Sequence, residues 1–309
     1  MQKEPVMTSS ERSLHHLEKI VALGALAAVF ALAIGFAQAA DAGAESKKTA
    51  TKLPGRSEEV YLRSAVVLVQ DAASGETLFA KNQAAVLPIA SITKLMTAIV
   101  VLDSGINLEQ RVVISGEDYD MLKGSRSRLR PGTVLTRDEL LLLALMSSEN
   151  RAAASLGRTF PGGTEAFVAA MNAKSAALGM LDTRFVDATG LSAANVSSAR
   201  DLARLVAAAH EHARIREYST RESATVQAFG RPLAYRNTNG LVRDSHWEIG
   251  LSKTGYISEA GRCLVMRVRM ASREVTVVLL DSWGRLSRVG DANRIKKWLE
   301  SSSAAGPRG

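Results

Sequence analysis

Apolar residues in this chain run β-branched or alternate near both ends, and they recur at helical spacing in between. Ala65 to Gln70 is a β-branched apolar run, Asp71 to Gly75 reads as a turn, and Thr77 to Ala80 reads as a second strand, so the three together predict a hairpin. From Arg231 onward the pattern returns to strands, with Trp247–Thr254, Cys263–Met270 and Val275–Leu280 separated by turns at Ser258–Gly261 and Ala271–Arg273. Arg285 to Ser301 reads as a closing amphipathic helix. Strand hairpin, helical block, strands and helix in that order predict an α+β chain whose antiparallel sheet is assembled from both ends.

The middle of the chain carries the helices. Pro88 precedes a segment that stays apolar at helical spacing through Leu95, Ile99 and Leu102, and Gly105 stops it. Ser91 then falls in the first turn, where free backbone N–H groups and the helix dipole favour developing negative charge. Thr136-x-x-Glu139 is a capping box opening an apolar helix through Met146. Further helices are predicted over Arg151–Gly157, Thr164–Leu178 and Ala199–Ile215.

The N-terminal segment reads as a targeting signal rather than part of the fold. Ile20 to Phe36 is an unbroken apolar and glycine run, preceded by Lys19 and followed by Ala37-Gln38-Ala39, which describes a secretory signal peptide over 1–39 cleaved before Ala40. The other reading is an uncleaved anchor, although the run falls just short of a membrane span. Residues 40–57, with Pro54-Gly55, read as a flexible linker. Order is expected from Glu58, with a short polar tail at 302–309. Within residues 1–39, Lys3, Arg12 and Lys19 balance Glu4, Glu11 and Glu18, so removing them leaves the net charge of +8 intact. A moderate positive charge on an exported chain suits an anionic envelope polymer. No alternation of basic and aromatic residues marks a nucleic-acid binder. The single cysteine, Cys263, cannot form an intrachain bridge, so the fold must rest on its core.

Three short motifs carry chemistry. A serine three residues before a lysine on a helix, as in Ser91-Ile92-Thr93-Lys94, sets hydroxyl and amine on one face, where a neutral amine can take the serine proton. Ser-x-x-Lys alone arises by chance in roughly one chain of this length. Ser148-Glu149-Asn150 follows the apolar helix in a loop whose hydroxyl and amide can reach that pair. There Ser148 can relay a proton to a leaving amine, and Asn150 can hold Lys94 and a substrate amide. Lys253-Thr254-Gly255 ends a strand, where a cation and a hydroxyl can grip a carboxylate. Gly255 is expected to leave room for a substrate chain lying along that strand. Lys94 serves as base only if a desolvated site and a neighbouring cation such as Lys253 hold it neutral. Taken singly, the motifs read as a helix start, a polar loop and a strand end, but together and in these contexts they make a catalytic set.

Other constellations fit less well. His15, His16, His210, His212 and His246 show no zinc spacing, and His210 and His212 fall on different helix faces. No Gly-x-Ser-x-Gly elbow accompanies His246, and Cys263 sits in an apolar strand as a core residue. No metal or other cofactor is called for.

The three motifs in this order resemble those of the low-molecular-mass penicillin-binding proteins, specifically the D-alanyl-D-alanine endopeptidase group, from about Tyr61 to Leu299. Phe185-Val186-Asp187-Ala188-Thr189-Gly190-Leu191, then Asn195, Ser197-Ser198-Ala199 and Asp201-Leu202, is similar to the D-Ala-D-Ala peptidase pattern. Lys123 to Leu129, Leu251 to Tyr256 and Glu259 to Met266 resemble the endopeptidase subgroup, though no role follows for the Arg126/Arg128 loop. The resemblance implies a β-lactamase/transpeptidase-like fold. Its α/β part would lie at 58–93 and about 230–301, with a mainly helical part inserted at about 94–229 and the active site between them. It implies an oxyanion hole from the backbone N–H groups of Ser91 and Tyr256, a peptidoglycan peptide as substrate, and β-lactams as inhibitors acylating the same serine. It also implies a periplasmic location with at most loose membrane association. Glu149 stands where many relatives carry glycine or aspartate, a change expected to matter little because the outer two residues do the work. The chain stops soon after its last helix, which leaves no room for the additional β-domain and amphipathic tail of the main carboxypeptidases. No Glu-x-x-Leu-Asn segment follows Asn150, so the deacylating base of a class A β-lactamase is missing and slow penicillin turnover is expected. Three functions remain open: a DD-endopeptidase, a DD-carboxypeptidase, and a non-catalytic penicillin-binding sensor.

Overall fold

The computed structural model describes residues 60–284 and 286–304. The expected signal peptide and linker lie outside the described residues. Among these residues the main sheet has five antiparallel strands in the order β2-β1-β11-β10-β9. The chain's first hairpin supplies β1 (Ser64–Asp71) and β2 (Thr77–Lys81), and its last strands supply β9 (Glu248–Ile257), β10 (Gly261–Met270) and β11 (Arg273–Ser282). The two ends meet where Val66 pairs with Leu280 and Val69 with Val277. The sheet is therefore built from both ends, as the alternation predicts.

Alternate residues of the central strands face two different cores, as a period of two requires. Val66, Leu68, Val265, Val278 and Leu280 face the larger core under the helical block. Val67, Val69, Leu264, Met266, Val277 and Leu279 face a smaller core capped by Ile295, Trp298 and Leu299 of the closing helix. That burial on both faces explains why β1 and β11 read as β-branched runs rather than as strict alternation.

Three chain-order strand pairs lie outside the main sheet: β3 (Leu87–Pro88) with β6 (Val196–Ser197), β4 (Arg111–Val113) with β5 (Val134–Thr136), and β7 (Ser223–Ala228) with β8 (Arg231–Arg236). The helices are α1 (Thr93–Asp103), α2 (Arg137–Met146), α3 (Asn150–Arg158), α4 (Gly163–Ala177), α5 (Ala199–Glu211), α6 (Ala213–Thr220) and α7 (Ser287–Ala304). Helix α1 is buried on every side from Thr93 to Val101, because helices pack around its whole circumference. Helix α2 opens with the expected capping box, the Thr136 hydroxyl accepting from the Glu139 amide at 3.1 Å while the Glu139 carboxylate accepts from the Thr136 amide at 2.8 Å.

Several boundaries differ from the sequence reading. The helix expected over Ala199–Ile215 is broken at His212, whose backbone is extended (φ −85°, ψ 113°), and α6 leaves in a new direction to pack on β9. The stretch Ser223–Ala228, assigned to the helical block, is instead β7. Its solvent-side residues are polar or small, so only Val226 and Ala228 are buried and the apolar signal is weak. The closing helix runs to Ala304, past its expected end at Ser301 and into the expected tail. Residues 305–309 lie outside the described residues.

Helix α7 is tied to β1 by a buried carboxylate. Asp291 accepts from the Ser64 amide at 2.7 Å, the Ser64 hydroxyl at 2.5 Å and the Arg63 amide at 3.0 Å. Burial raises the Asp291 pKa, but these donors and Arg294 outweigh it and leave the carboxyl below its usual range. A lowered native pKa stabilises the fold above the unfolded-state value and loses that contribution as pH falls. Asp291→Ala should therefore cost about 2 kcal/mol or more at pH 7, measured by urea denaturation. The gap to wild type should narrow at pH 3.

Candidate active site

Ser91 sits in a tight 3₁₀ turn, Ala90–Ile92, directly ahead of α1 rather than inside its first turn. Ala90 takes a left-handed backbone (φ 47°), a costly conformation for a residue with a Cβ. The turn is held from outside. The Ile89 amide donates to the Asn195 carbonyl at 3.1 Å, and the Thr93 hydroxyl donates to the Ala90 carbonyl at 2.8 Å. Gly190 (φ 78°) packs so closely that a Cβ there would stand 1.9 Å from the Ala90 carbonyl oxygen.

Lys94 is fully buried, one helical turn on. Its Nζ lies 2.8 Å from Ser91 Oγ, 2.7 Å from Asn150 Oδ1 and 2.6 Å from the Thr189 carbonyl oxygen. Three acceptors match the three N–H bonds of an ammonium. In the neutral amine, two N–H bonds keep Asn150 and Thr189 while the lone pair faces the serine hydroxyl. Burial brings the Lys94 pKa down to about 7, against the opposing pull of Asp187, Glu149 and Asp120. Burial, the first of the two expected causes, carries this shift.

Lys253 is also fully buried, with Nζ 2.9 Å from Ser148 Oγ and 3.1 Å from the Thr254 carbonyl oxygen. Burial first, then the charges of Lys94 and Arg288, push its pKa well below the ordinary lysine range. Two ammonium groups in one dry cleft repel, so a carboxylate placed against Lys253 would favour its protonated form. Ser148 holds a left-handed backbone (φ 59°) just past the end of α2, which turns its hydroxyl toward Lys253. Asn150 begins α3 and spends its Nδ2 on Ser125 Oγ at 2.8 Å.

Strand β9 is the sheet edge, where alternate backbone groups remain free to bind an extended chain. Thr254 Oγ1 donates to Thr238 Oγ1 at 2.7 Å. Gly255 has a packing role of its own: a Cβ there would meet the Ile89 carbonyl oxygen at 2.9 Å and the Ser91 amide nitrogen at 3.1 Å. Its missing side chain makes room for the turn that carries Ser91. Arg288 of α7 reinforces the strand by donating to the carbonyls of Gly255 and Cys263, each at 3.2 Å. Tyr256 follows on the same edge, 58% exposed, with the Arg262 guanidinium 4.6 Å from its ring centroid. Cys263 is buried in β10, as its apolar strand implies.

Ser91, Lys94, Ser148, Asn150, Lys253, Thr254 and Gly255 thus converge from three chain segments. The motifs do not announce the Thr189 carbonyl or the carboxylate that fixes it. Asp187 accepts from Thr189 N and Gly190 N (2.6 Å each), Thr189 Oγ1 (2.7 Å), Asn195 Nδ2 (2.8 Å) and Ser192 N (3.0 Å). An aspartate followed by Thr-Gly marks a carboxylate-centred turn, and that signal was available in the sequence. Among the described residues no cluster of His, Cys, Asp or Glu is arranged to hold a metal ion.

Known proteins share this arrangement's sequence and fold. Residues 50–283 match the family described as peptidase S11, D-alanyl-D-alanine carboxypeptidase. A D-alanyl-D-alanine endopeptidase of Pseudomonas aeruginosa is 49% identical over 243 residues, covering 78% of each chain. One from Escherichia coli K12 is 42% identical over 273 residues, covering 87% of this chain and 86% of its own. The crystal structure of the Streptomyces K15 DD-transpeptidase superimposes with a TM-score of 0.73 at 26% identity, covering 79% of this chain and all of that one.

Gly190→Ala would force a Cβ into the Ala90 carbonyl at a positive φ, so it should destabilise the fold by about 2 kcal/mol or more in chemical denaturation.

Proposed function

The chain belongs to the D-alanyl-D-alanine carboxypeptidase family of serine peptidases, and we propose that it is a DD-endopeptidase cutting the D-alanyl–meso-diaminopimelyl crosslinks of peptidoglycan through an acyl-enzyme on Ser91. The observation that carries the chemistry is the 2.8 Å contact between Ser91 Oγ and a buried Lys94 whose pKa lies near neutrality. The choice of a crosslink over a terminal D-alanine is supported by relatives at 49% and 42% identity that are named endopeptidases.

In this reading neutral Lys94 takes the Ser91 proton as Oγ attacks the D-alanyl carbonyl. The backbone N–H groups of Ser91 and Tyr256 receive the oxyanion. Ser148 gives its proton to the leaving amine and takes one from protonated Lys253, whose Nζ lies 2.9 Å away. Asn150 orients Lys94 through Oδ1 and a substrate amide through its remaining N–H. Lys253 and Thr254 grip a substrate carboxylate, whose charge restores the Lys253 proton. Gly255 admits the nucleophile turn. Water then attacks the acyl carbonyl, giving a proton to the Lys253–Ser148 pair, while Lys94 returns its proton to Ser91 Oγ as the ester bond breaks. Penicillin would acylate the same serine, and with no dedicated carboxylate base it would leave slowly.

The proposed catalytic domain is 58–301, with the helical part inserted between the α/β segments. We place the mature protein in the periplasm, exported by residues 1–39, with at most loose membrane association and no nucleic-acid partner. No described helix is long and apolar enough to cross a membrane.

Labelled penicillin should attach covalently to wild type and not to Ser91→Ala; equal labelling of both would overturn the mechanism. Because the base must be neutral, acylation should rise about tenfold per pH unit below pH 7 and level off above it. A flat profile in that range would remove Lys94 as the base. On purified sacculi the enzyme should convert dimeric muropeptides to monomers. Shortening of pentapeptides with dimers intact would give the carboxypeptidase reading instead.

A further inference from the structure

Two stretches that resemble the endopeptidase subgroup, residues 123–129 and 259–266, meet at one contact. Lys123, on the loop 119–128 between β4 and β5, places Nζ 2.5 Å from Glu259 Oε1 in the turn between β9 and β10. This ion pair crosses from the wall of the cleft that carries Asn150 to the wall that carries Lys253. The reaction at Ser91 makes no use of either residue.

The base of the loop is firmly held and its tip is not. Asp118 accepts from Arg158 of α3, from Nε at 2.8 Å and from Nη2 at 2.9 Å, and the Arg151 guanidinium lies 3.9 Å from the Tyr119 ring centroid. Asp120 accepts from the amides of Leu122 (2.9 Å), Lys123 and Ser125 (2.8 Å each). Ser125 Oγ accepts from Asn150 Nδ2 at 2.8 Å, and Asn150 Oδ1 accepts from Lys94 at 2.7 Å. At the tip Met121 is 89% exposed and Leu122 65%, so little apolar packing holds it down. Among the described residues, Lys123–Glu259 is the one ion pair or hydrogen bond that joins this loop to the five-stranded sheet. Both partners are partly open to water, and an exposed pair of this kind favours its closed form by about fivefold at most. Lys123 first, then the Ser258 hydroxyl 2.7 Å from Oε2, hold the Glu259 carboxyl down at about 2, so the carboxylate stays charged at neutral pH.

These contacts close a ring over the cleft. It runs from Lys94 through Asn150 and Ser125 to the loop, and across Lys123–Glu259 to the turn. It returns along β9 through Tyr256 to Lys253, whose Nζ reaches Ser148 Oγ at 2.9 Å. A peptide that adds to the β9 edge and runs on past Tyr256 passes inside this ring. A linear stem peptide has a free end and can thread it. A crosslinked chain continues into the polymer in both directions and offers no end to thread, so for that chain the ring must break and remake.

We propose that loop 119–128 is a strap that opens at Lys123–Glu259 to admit a crosslinked peptide and recloses over it. Lys123 and Glu259 are positioning residues that act through the loop and not on the reacting atoms. The substrate named here rests on the function proposed above. A weak, exposed latch suits this task, because it parts readily while the pinned base of the loop keeps Ser125 against Asn150.

Binding to full-length Ser91→Ala enzyme, read by calorimetry, separates the strap from turnover. Lys123→Cys and Glu259→Cys can be joined by a short bismaleimide, since the native thiol of Cys263 is buried. The linked enzyme should bind a crosslinked muropeptide dimer that keeps both disaccharides about tenfold more weakly than the unlinked one, because its open form is lost. A linear pentapeptide should bind both forms alike. With Ser91 intact, linked and unlinked enzymes should label with penicillin at the same rate. Lys123→Met and Glu259→Gln should each weaken the dimer about threefold and leave the pentapeptide unchanged, and the reversed pair, Lys123→Glu with Glu259→Lys, should restore the dimer. The strap is overturned if linking leaves dimer binding unchanged, if it weakens the pentapeptide or penicillin labelling in parallel, or if the reversed pair gives no rescue. Failure of sacculus digestion by the wild type with these binding differences intact would instead sink the endopeptidase reading alone.

Discussion

A lysine with no water around it is the constraint on which this architecture turns. Lys94 has no exposed surface, and burying its ammonium is costly unless every N–H bond finds an acceptor. The acceptors come from three separate places: the serine one turn earlier, the first residue of α3, and a backbone carbonyl in the loop after α4. Each must arrive within hydrogen-bond distance of one atom, so the packing of α1 against the helical block and the Asp187-centred turn are fixed together. The resulting compromise is a pKa near neutrality, the condition that the role proposed for this amine requires.

The second buried lysine follows from the same geometry. Lys253 reaches the cleft from the edge of the sheet, and it shares the cleft only because Ser148 and the Thr254 carbonyl receive it. The close approach of β9 to the Ser91 turn sets the distance between Ser91 and Lys253, and that approach depends on the absence of a side chain at Gly255. Strand edge, Ser91 turn and buried Lys253 therefore form one packed unit rather than three adjoining features.

Much of this was legible from residue order. Serine-to-lysine spacing placed two groups on one helical face, the capping box marked the start of α2, and the β-branched runs located the sheet at both chain ends. What stayed hidden has physical reasons. The third acceptor of Lys94 is a main-chain carbonyl, and any residue can supply a carbonyl, so Thr189 left no mark of its own. The break at His212 is set by where α6 must dock on β9, which overrides an unbroken helical pattern. Strand β7 buries only Val226 and Ala228, too few for its period to stand out. The packing of Gly255 against the Ile89–Ser91 turn stayed hidden because that neighbour in space is distant in sequence.

The pairing of β1 with β11 has a consequence for how the molecule comes into being. Ser64 and Ser282 share a hydrogen bond across a sequence separation of 218 residues, so the central strands of the sheet can join only after the whole helical block has been made. Contacts of such long range make folding slow, because the intervening loop must close before the pairing is rewarded. The serine turn lies before that block and the lysine clamp after it. A chain threaded through a membrane from its N-terminus would therefore carry Ser91 across early, yet leave it without its sheet or its clamp. In such a chain the cutting centre is completed by the last strands to arrive, which delays reactivity until synthesis and passage are finished.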